Sequence, residues 1–120
     1  MDQEQFVNAV KEVVRDSSID EVVQNLEKPA GRNPDRKLVD LSSWYHNLDV
    51  DQKSHLKGVI QLAVDHSIFG LFCVLDGVRP VVQPLDKVDI VFRLSVIEGE
   101  KESLLNDPAD NYLHDIYNAR

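Results

Sequence analysis

A single cysteine, Cys73, leaves this 120-residue chain unable to close an intramolecular disulfide, so the expected fold does not depend on an oxidising compartment. Glycine is sparse and dispersed: Gly31, Gly58, Gly70, Gly77 and Gly99 stand singly. A loop that cradles phosphates needs several side-chain-free residues close together, so no nucleotide cofactor is expected. Basic residues are in deficit, with 13 Lys and Arg against 21 Asp and Glu and a formal net charge of -8. Phosphate backbones and anionic membranes both require clustered cations, which makes nucleic acid and membrane surfaces unexpected partners. The first residues, Met1-Asp2-Gln3-Glu4-Gln5, are acidic and polar where a secretory signal would begin basic and turn apolar. No stretch reads as the roughly 20 consecutive apolar residues that span a bilayer. These absences together lead to the expectation of a cytoplasmic protein.

Against these absences stands an ordinary globular composition, 42% hydrophobic and 28% charged. A chain of this length buries roughly two-thirds of its unfolded surface, enough for one core without staples, and residues 1–120 are read as a single domain. The acid excess is uneven. Only residues 31–60, with 4 acids and 5 bases, escape it. Such a field would attract a basic protein partner, while also serving solubility.

The richest segment is Ser67-Ile68-Phe69-Gly70-Leu71-Phe72-Cys73-Val74-Leu75-Asp76-Gly77, an apolar run that ends in a turn signal. It closes a helix expected over residues 50–75, opened by the cap pattern Asp49-Val50-Asp51-Gln52. Leu56, Val59, Ile60, Ala63, Val64, Leu71, Val74 and Leu75 share one side, opposite Asp51, His55, Gln61, Asp65 and His66. Leu62 is the apolar exception on the polar side. Ile68, Phe69 and Phe72 make the second half apolar nearly all round, so that half should be buried from several directions.

Upstream, Phe6, Ala9, Val10, Val13 and Val14 predict a helix over 3–16, with Asp2 as its cap. Ser18 with Glu21 has the form of a new capping box, so a corner is expected at Asp16-Ser17-Ser18 before a helix carrying Ile19, Val22, Val23 and Leu26. Lys28 to Asp35 holds two prolines and a glycine and reads as an exposed loop. Leu38, Leu41, Tyr45 and Leu48 mark a third helix.

Downstream the period changes. Val88, Ile90, Phe92, Leu94 and Val96 alternate with Asp89, Val91, Arg93, Ser95 and Ile97, the two-residue repeat of a strand. Glu98-Gly99-Glu100 is a turn, from which Lys101 to Leu105 returns antiparallel. Val78 to Gln83 offers a third strand, confined to an edge by Pro80 and Pro84. Asp107-Pro108 resembles a cap with proline at the first helical position, opening a closing helix that turns Leu113 and Ile116 inward. The expected fold is therefore α+β: N-terminal helices including one long central amphipathic helix, a small antiparallel meander of two or three strands, and a short C-terminal helix.

Little in this layout assembles reactive chemistry, and no catalytic residue is assigned. His55 and His66 share a helix face but are separated by about 16 Å of axial rise, too far to hold one ion. His46 with Asp49, and His114 with Asp115, lack the converging ligands of a zinc site, so no metal is expected. Cys73 lies between Phe72 and Val74, where a thiol stays protonated and inert. Ser42, Ser43, Ser54, Ser67, Ser95 and Ser103 sit in no glycine-flanked nucleophile elbow. Asp76, Asp107 and Asp110 are the carboxylates to inspect, although Asp76 and Asp107 also suit helix ends.

Two groups of residues look like recognition surface. Trp44-Tyr45-His46 places three large side chains about 100° apart on one helix, so at least one must leave the core stripe. Tyr112 and Tyr117 lie on the closing helix. Two functions follow as expectations: a non-enzymatic module that binds another protein, such as an inhibitor or immunity-type partner of a basic protein, or a small-molecule binder or modest hydrolase. The second would use Asp76, Arg79 or His114 in a pocket between the central helix and the meander. A homodimer is compatible with either.

Overall fold

The computed structural model of the chain describes residues 1–82 and 90–119. They divide into two compact units, Met1–Val13 with His66–Arg120, and Val14–Asp65. The expected α+β order is observed: α1 (Gln3–Ala9), a π-helical segment (Val10–Asp16), α2 (Ser17–Glu27), α3 (Arg36–His46), α4 (Val50–Leu75), β1 (Ser95–Glu98), β2 (Lys101–Leu104) and α5 (Leu113–Asn118).

In the first unit, Asp2 caps α1 reciprocally with Gln5: each side chain accepts the other's backbone N–H, at 2.8 and 2.9 Å. Gln3 then donates its amide to the carbonyls of Leu105 and Asn111, both at 2.7 Å, which ties the start of α1 to the chain after the hairpin. Val7, Phe72, Leu113 and Tyr117 form the buried core, with Phe6, Ile68, Phe69 and Leu94 packed against it. Phe6 and Tyr117 meet Phe72 edge-on, with ring centroids 6.1 and 5.6 Å away. Burial of side chains of this size contributes about 1.5–3 kcal/mol each.

The apolar run ends as its turn signal predicts. Gly77 adopts φ 77°, its N–H reaches the Val74 carbonyl, and Val78 N–H reaches that of Cys73, the paired bonds of a Schellman end. The hairpin follows with Ser95 opposite Leu104, Val96 opposite Ser103, Ile97 opposite Glu102 and Glu98 opposite Lys101. Gly99, at φ 62°, makes the tight turn between the strands.

The paired strand is shorter than its alternation suggests. Before Ser95, the buried Asn106 side chain takes over: its carboxamide oxygen accepts from Leu94 N–H, and its nitrogen donates to the carbonyls of Phe92 and Leu75. Val78 to Val82 form bends and no strand, while Gln83, Pro84, Val88 and Asp89 lie outside the described residues. The closing helix also begins later than expected. Asp107 accepts from Ala109 N–H and makes a turn with Asp110, so it caps a loop, and α5 opens at Leu113.

In the second unit, α2 and α3 pack together. Ser42 donates its hydroxyl to the Leu26 carbonyl at 2.7 Å, satisfying the end of α2. Asp35 accepts from Lys37 N–H at the start of α3, and Asp49 and Gln52 form the expected reciprocal cap of α4. The corner expected at Asp16 is absent. Asp16 keeps helical dihedrals and makes no side-chain cap bond, because its carboxylate accepts from Arg15 at 2.8 Å. Arg15 meanwhile grips Asp65 in a fork, Nε to Oδ1 at 2.6 Å and Nη2 to Oδ2 at 3.1 Å.

Burial along α4 differs from the apolar stripe read in its sequence. Gly70, Phe72 and Cys73 are buried, whereas Val59, Leu62 and Leu71 are exposed. The helix is also long and apolar enough to cross a membrane by length and composition, with mean hydropathy 1.7 over its most apolar window. That corrects the expectation that no such stretch exists, and only 17% of that window is buried.

Candidate functional site

The only two of the expected pocket residues to bond each other are Asp76 and His114. Asp76 follows the last turn of α4, and its side chain is 2% exposed. Its carboxylate accepts from the backbone N–H groups of Leu113 and His114 at 3.1 and 2.9 Å, and from His114 Nδ1–H at 2.6 Å. Three donors on one buried carboxylate satisfy the hydrogen-bonding demand that its burial creates. The group therefore acts as the missing N-cap of α5, because Tyr112 at that position makes no side-chain cap bond.

Around the pair, Tyr112 stacks on the His114 ring with centroids 5.3 Å apart, and Phe69 meets it edge-on at 5.6 Å. His114 Nε2 lies 3.4 Å from Asp115 Oδ1, an attraction that requires both ring nitrogens to be protonated. Arg79 lies instead over Gly70, its guanidinium occupying the place where a Cβ would stand. Burial pushes the Cys73 thiol up; Arg79 opposes the shift, while Asp76 and Asp115 add to it. A protonated, 6% exposed thiol is unsuited to nucleophilic attack. Among the described residues no three His, Cys, Asp or Glu side chains gather to hold a metal ion.

An open depression of about 610 Å³ lies elsewhere in the first unit, between α1, β2 and the loop before α5. Gln3, Lys101, Ser103, Asp110 and Asn111 line it, and neither Asp76, Arg79 nor His114 does. It is polar and carries no nucleophile paired with a base.

The residues read as recognition surface separate cleanly. Tyr45 is 5% exposed, donates its hydroxyl to Glu27 at 2.7 Å and lies under Lys53 Nζ at 4.8 Å. Tyr117 is buried in the first core. His46 donates Nε2–H to the Glu27 carbonyl at 2.7 Å. Of the triplet only Tyr45 is buried; His46 is exposed, and Trp44 is half exposed, one turn from the equally exposed Leu41. Tyr112 is partly exposed above His114.

A further exposed feature was not singled out in the sequence. The hairpin presents Ile97, 69% exposed, directly opposite Glu102, with Glu100 in the turn. Glu98 is already engaged by the Met1 amino group, which holds its carboxyl below the usual glutamate range. The signal for this feature lay in the alternation of Val96 and Ile97 with the acids around Gly99. The first unit also carries most of the acid excess, 12 acids against 6 bases.

Comparison of the chain with protein-family models, with curated proteins and with solved structures finds no match.

Proposed function

We propose that this protein is a non-enzymatic recognition module whose acidic hairpin binds a basic protein, in the manner of an inhibitor or immunity-type partner. The observation that carries the reading is the hairpin itself: a large aliphatic side chain, Ile97, exposed at 69% and bordered by Glu100 and Glu102. An apolar centre within an acidic rim combines desolvation at the middle of an interface with charge steering at its edge. A partner with an apolar recess ringed by Lys and Arg would cover the isoleucine and pair with the acids beside it.

Capture from native lysate, at about 50 mM and about 300 mM salt, tests this reading because screening of exposed charges changes strongly over that range. The wild type is expected to recover a stoichiometric basic protein at the lower salt only. Glu100→Lys/Glu102→Lys should lose it, and Asp20→Lys/Glu21→Lys, an equal charge change on α2, should keep it. Equal loss in both double variants would reduce the effect to net charge and sink the assignment of the hairpin.

A second reading rests on the Asp76–His114 pair, which the fold brings together across 38 residues. A carboxylate that orients an imidazole is an arrangement used in acid–base chemistry and in small-molecule sites. Thermal-shift screening of polar metabolites on the wild type and on His114→Gln separates the readings: a ligand that stabilises the first but not the second would favour it.

A further inference from the structure

The hairpin leaves the outer edge of β1 bare. Leu105 N–H donates to the Leu94 carbonyl at 2.7 Å, while the Asn106 side chain takes Leu94 N–H and donates to the Phe92 carbonyl, so the main chain at Phe92 and Leu94 faces β2 and the residues that follow it. Main-chain groups alternate sides along a strand. With Ser95 opposite Leu104 and Ile97 opposite Glu102 in the same register, the N–H and carbonyl groups of Arg93, Ser95 and Ile97 point the other way. Among the described residues nothing bonds to them, and all three side chains are exposed. Such an edge is a template for a further strand, and a ribbon of two strands gains stability when one is added.

The charges along this edge select an antiparallel copy of the same chain. Arg93, at the entry to the strand, has no ion-pair partner among the described residues. Glu100 and Glu102 stand at the other end, and Lys101 belongs to the opposite face, across from Glu98. A parallel copy would set like charges together, a basic strand would meet Arg93 and an acidic one the two glutamates. An antiparallel copy brings each cation to the other's acids, twice over, as a two-fold contact requires.

We infer that the protein forms a weak homodimer by pairing β1 with β1 of a second copy, antiparallel, to give a four-stranded sheet. A two-fold axis through Ser95 sets Arg93 opposite the mate's Ile97 and Leu94 opposite its Val96. The outward groups of Arg93, Ser95 and Ile97 then exchange main-chain hydrogen bonds across the axis. Arg93 runs over the mate's Ile97 toward Glu102 one strand further, a gap of about 10 Å at strand spacing that the two side chains close together. An axis through Val96 would instead set Leu94 against the mate's Glu98. The dimer does not depend on the recognition reading but shares its hairpin, and it covers Ile97.

A contact of one strand and its side chains lies below the standard interface size of about 1,200–2,000 Å², so the association depends on concentration. Sedimentation velocity of the purified protein from about 5 µM to about 500 µM spans that range of affinity. The wild type should move from the 13.6 kDa chain mass toward twice that value. Arg93→Glu and Glu102→Arg, both at exposed positions and both checked by far-UV circular dichroism, should remain monomeric, and the double variant, with the charges exchanged, should dimerise again. Hydrogen exchange at the Ser95 and Ile97 amides should slow at the upper concentration in the wild type only. A wild type that stays monomeric overturns the inference, as does a dimer that survives either single substitution or leaves those two amides unprotected. A double variant that stays monomeric overturns the Arg93–Glu102 register. Capture of a basic protein by a chain that is monomeric at the upper concentration would leave the recognition reading standing and remove the dimer.

Discussion

Asp76 Oδ2 accepts from His114 Nδ1 at 2.6 Å while the same carboxylate takes two backbone N–H groups at the start of α5. One side chain just past α4 therefore holds the closing helix by its first turn. Asp76→Ala would leave those donors facing a buried site, at a cost of about 3 kcal/mol. Asp76→Asn keeps one acceptor and should lose less. Urea denaturation midpoints measure both; a change below about 0.5 kcal/mol for the alanine variant would mean that packing alone holds α5.

Asn106 is the second buried polar hub. Its side chain joins the last turn of α4, through Leu75, to the chain entering β1, through Phe92 and Leu94. Asn106→Leu is close in volume but satisfies none of the three groups, and should destabilise by about 2–4 kcal/mol. Asn106→Asp keeps the acceptor for Leu94 N–H and loses both donors. Amide hydrogen exchange at Leu94 should quicken in the leucine variant and much less in the aspartate variant.

The Cys73 thiol is 6% exposed and pushed up, chiefly by burial. It should react with a disulfide reagent at neutral pH only through unfolding, at a rate that follows denaturant and not thiolate fraction. Rapid modification of the native protein would contradict this assignment.

Tyr45 donates to Glu27, and that bond, aided by burial, raises its phenol above the ordinary value. A group whose folded value lies above its unfolded one contributes stability that is present below the unfolded value and lost as pH rises through the folded value. Unfolding free energy should therefore decline above about pH 10, and Tyr45→Phe should flatten that decline while lowering stability at neutral pH by about 1 kcal/mol. Chemical denaturation at a series of alkaline pH values tests both.

Local signals carried much of the fold. The reciprocal cap at Asp49 and Gln52, the apolar run to Leu75 and the left-handed Gly77 bound α4 where the structure has it. Gly99 between acids marked the hairpin turn. The failures were tertiary. Ser18 and Glu21 looked like a fresh helix start because sequence does not show Arg15 taking both Asp16 and Asp65. The strand before Ser95 looked longer because alternation does not reveal a buried asparagine serving Phe92 and Leu94.

Legibility of the candidate site was divided in the same way. Asp76 and His114 are read from the sequence as members of one polar pocket with Arg79, and the bond between the two is a product of the fold. Arg79, the third residue expected in that pocket, lies over Gly70. In Trp44-Tyr45-His46 the helical 100° step requires at least one outward side chain, and only packing decides that Tyr45 is buried while Trp44 and His46 are exposed. Ile97 stands on the Asp89, Arg93 and Ser95 side of the alternation, and its place opposite Glu102 follows only from the register of the hairpin.

The hairpin assignment is tested most directly by titrating the purified captured partner into wild type and Glu100→Lys/Glu102→Lys at about 50 mM and about 300 mM salt. The account predicts tight one-to-one binding by the wild type that weakens about tenfold or more at the higher salt, and little binding by the hairpin variant at either. Equal affinity of the two proteins, or an affinity indifferent to salt, would contradict it.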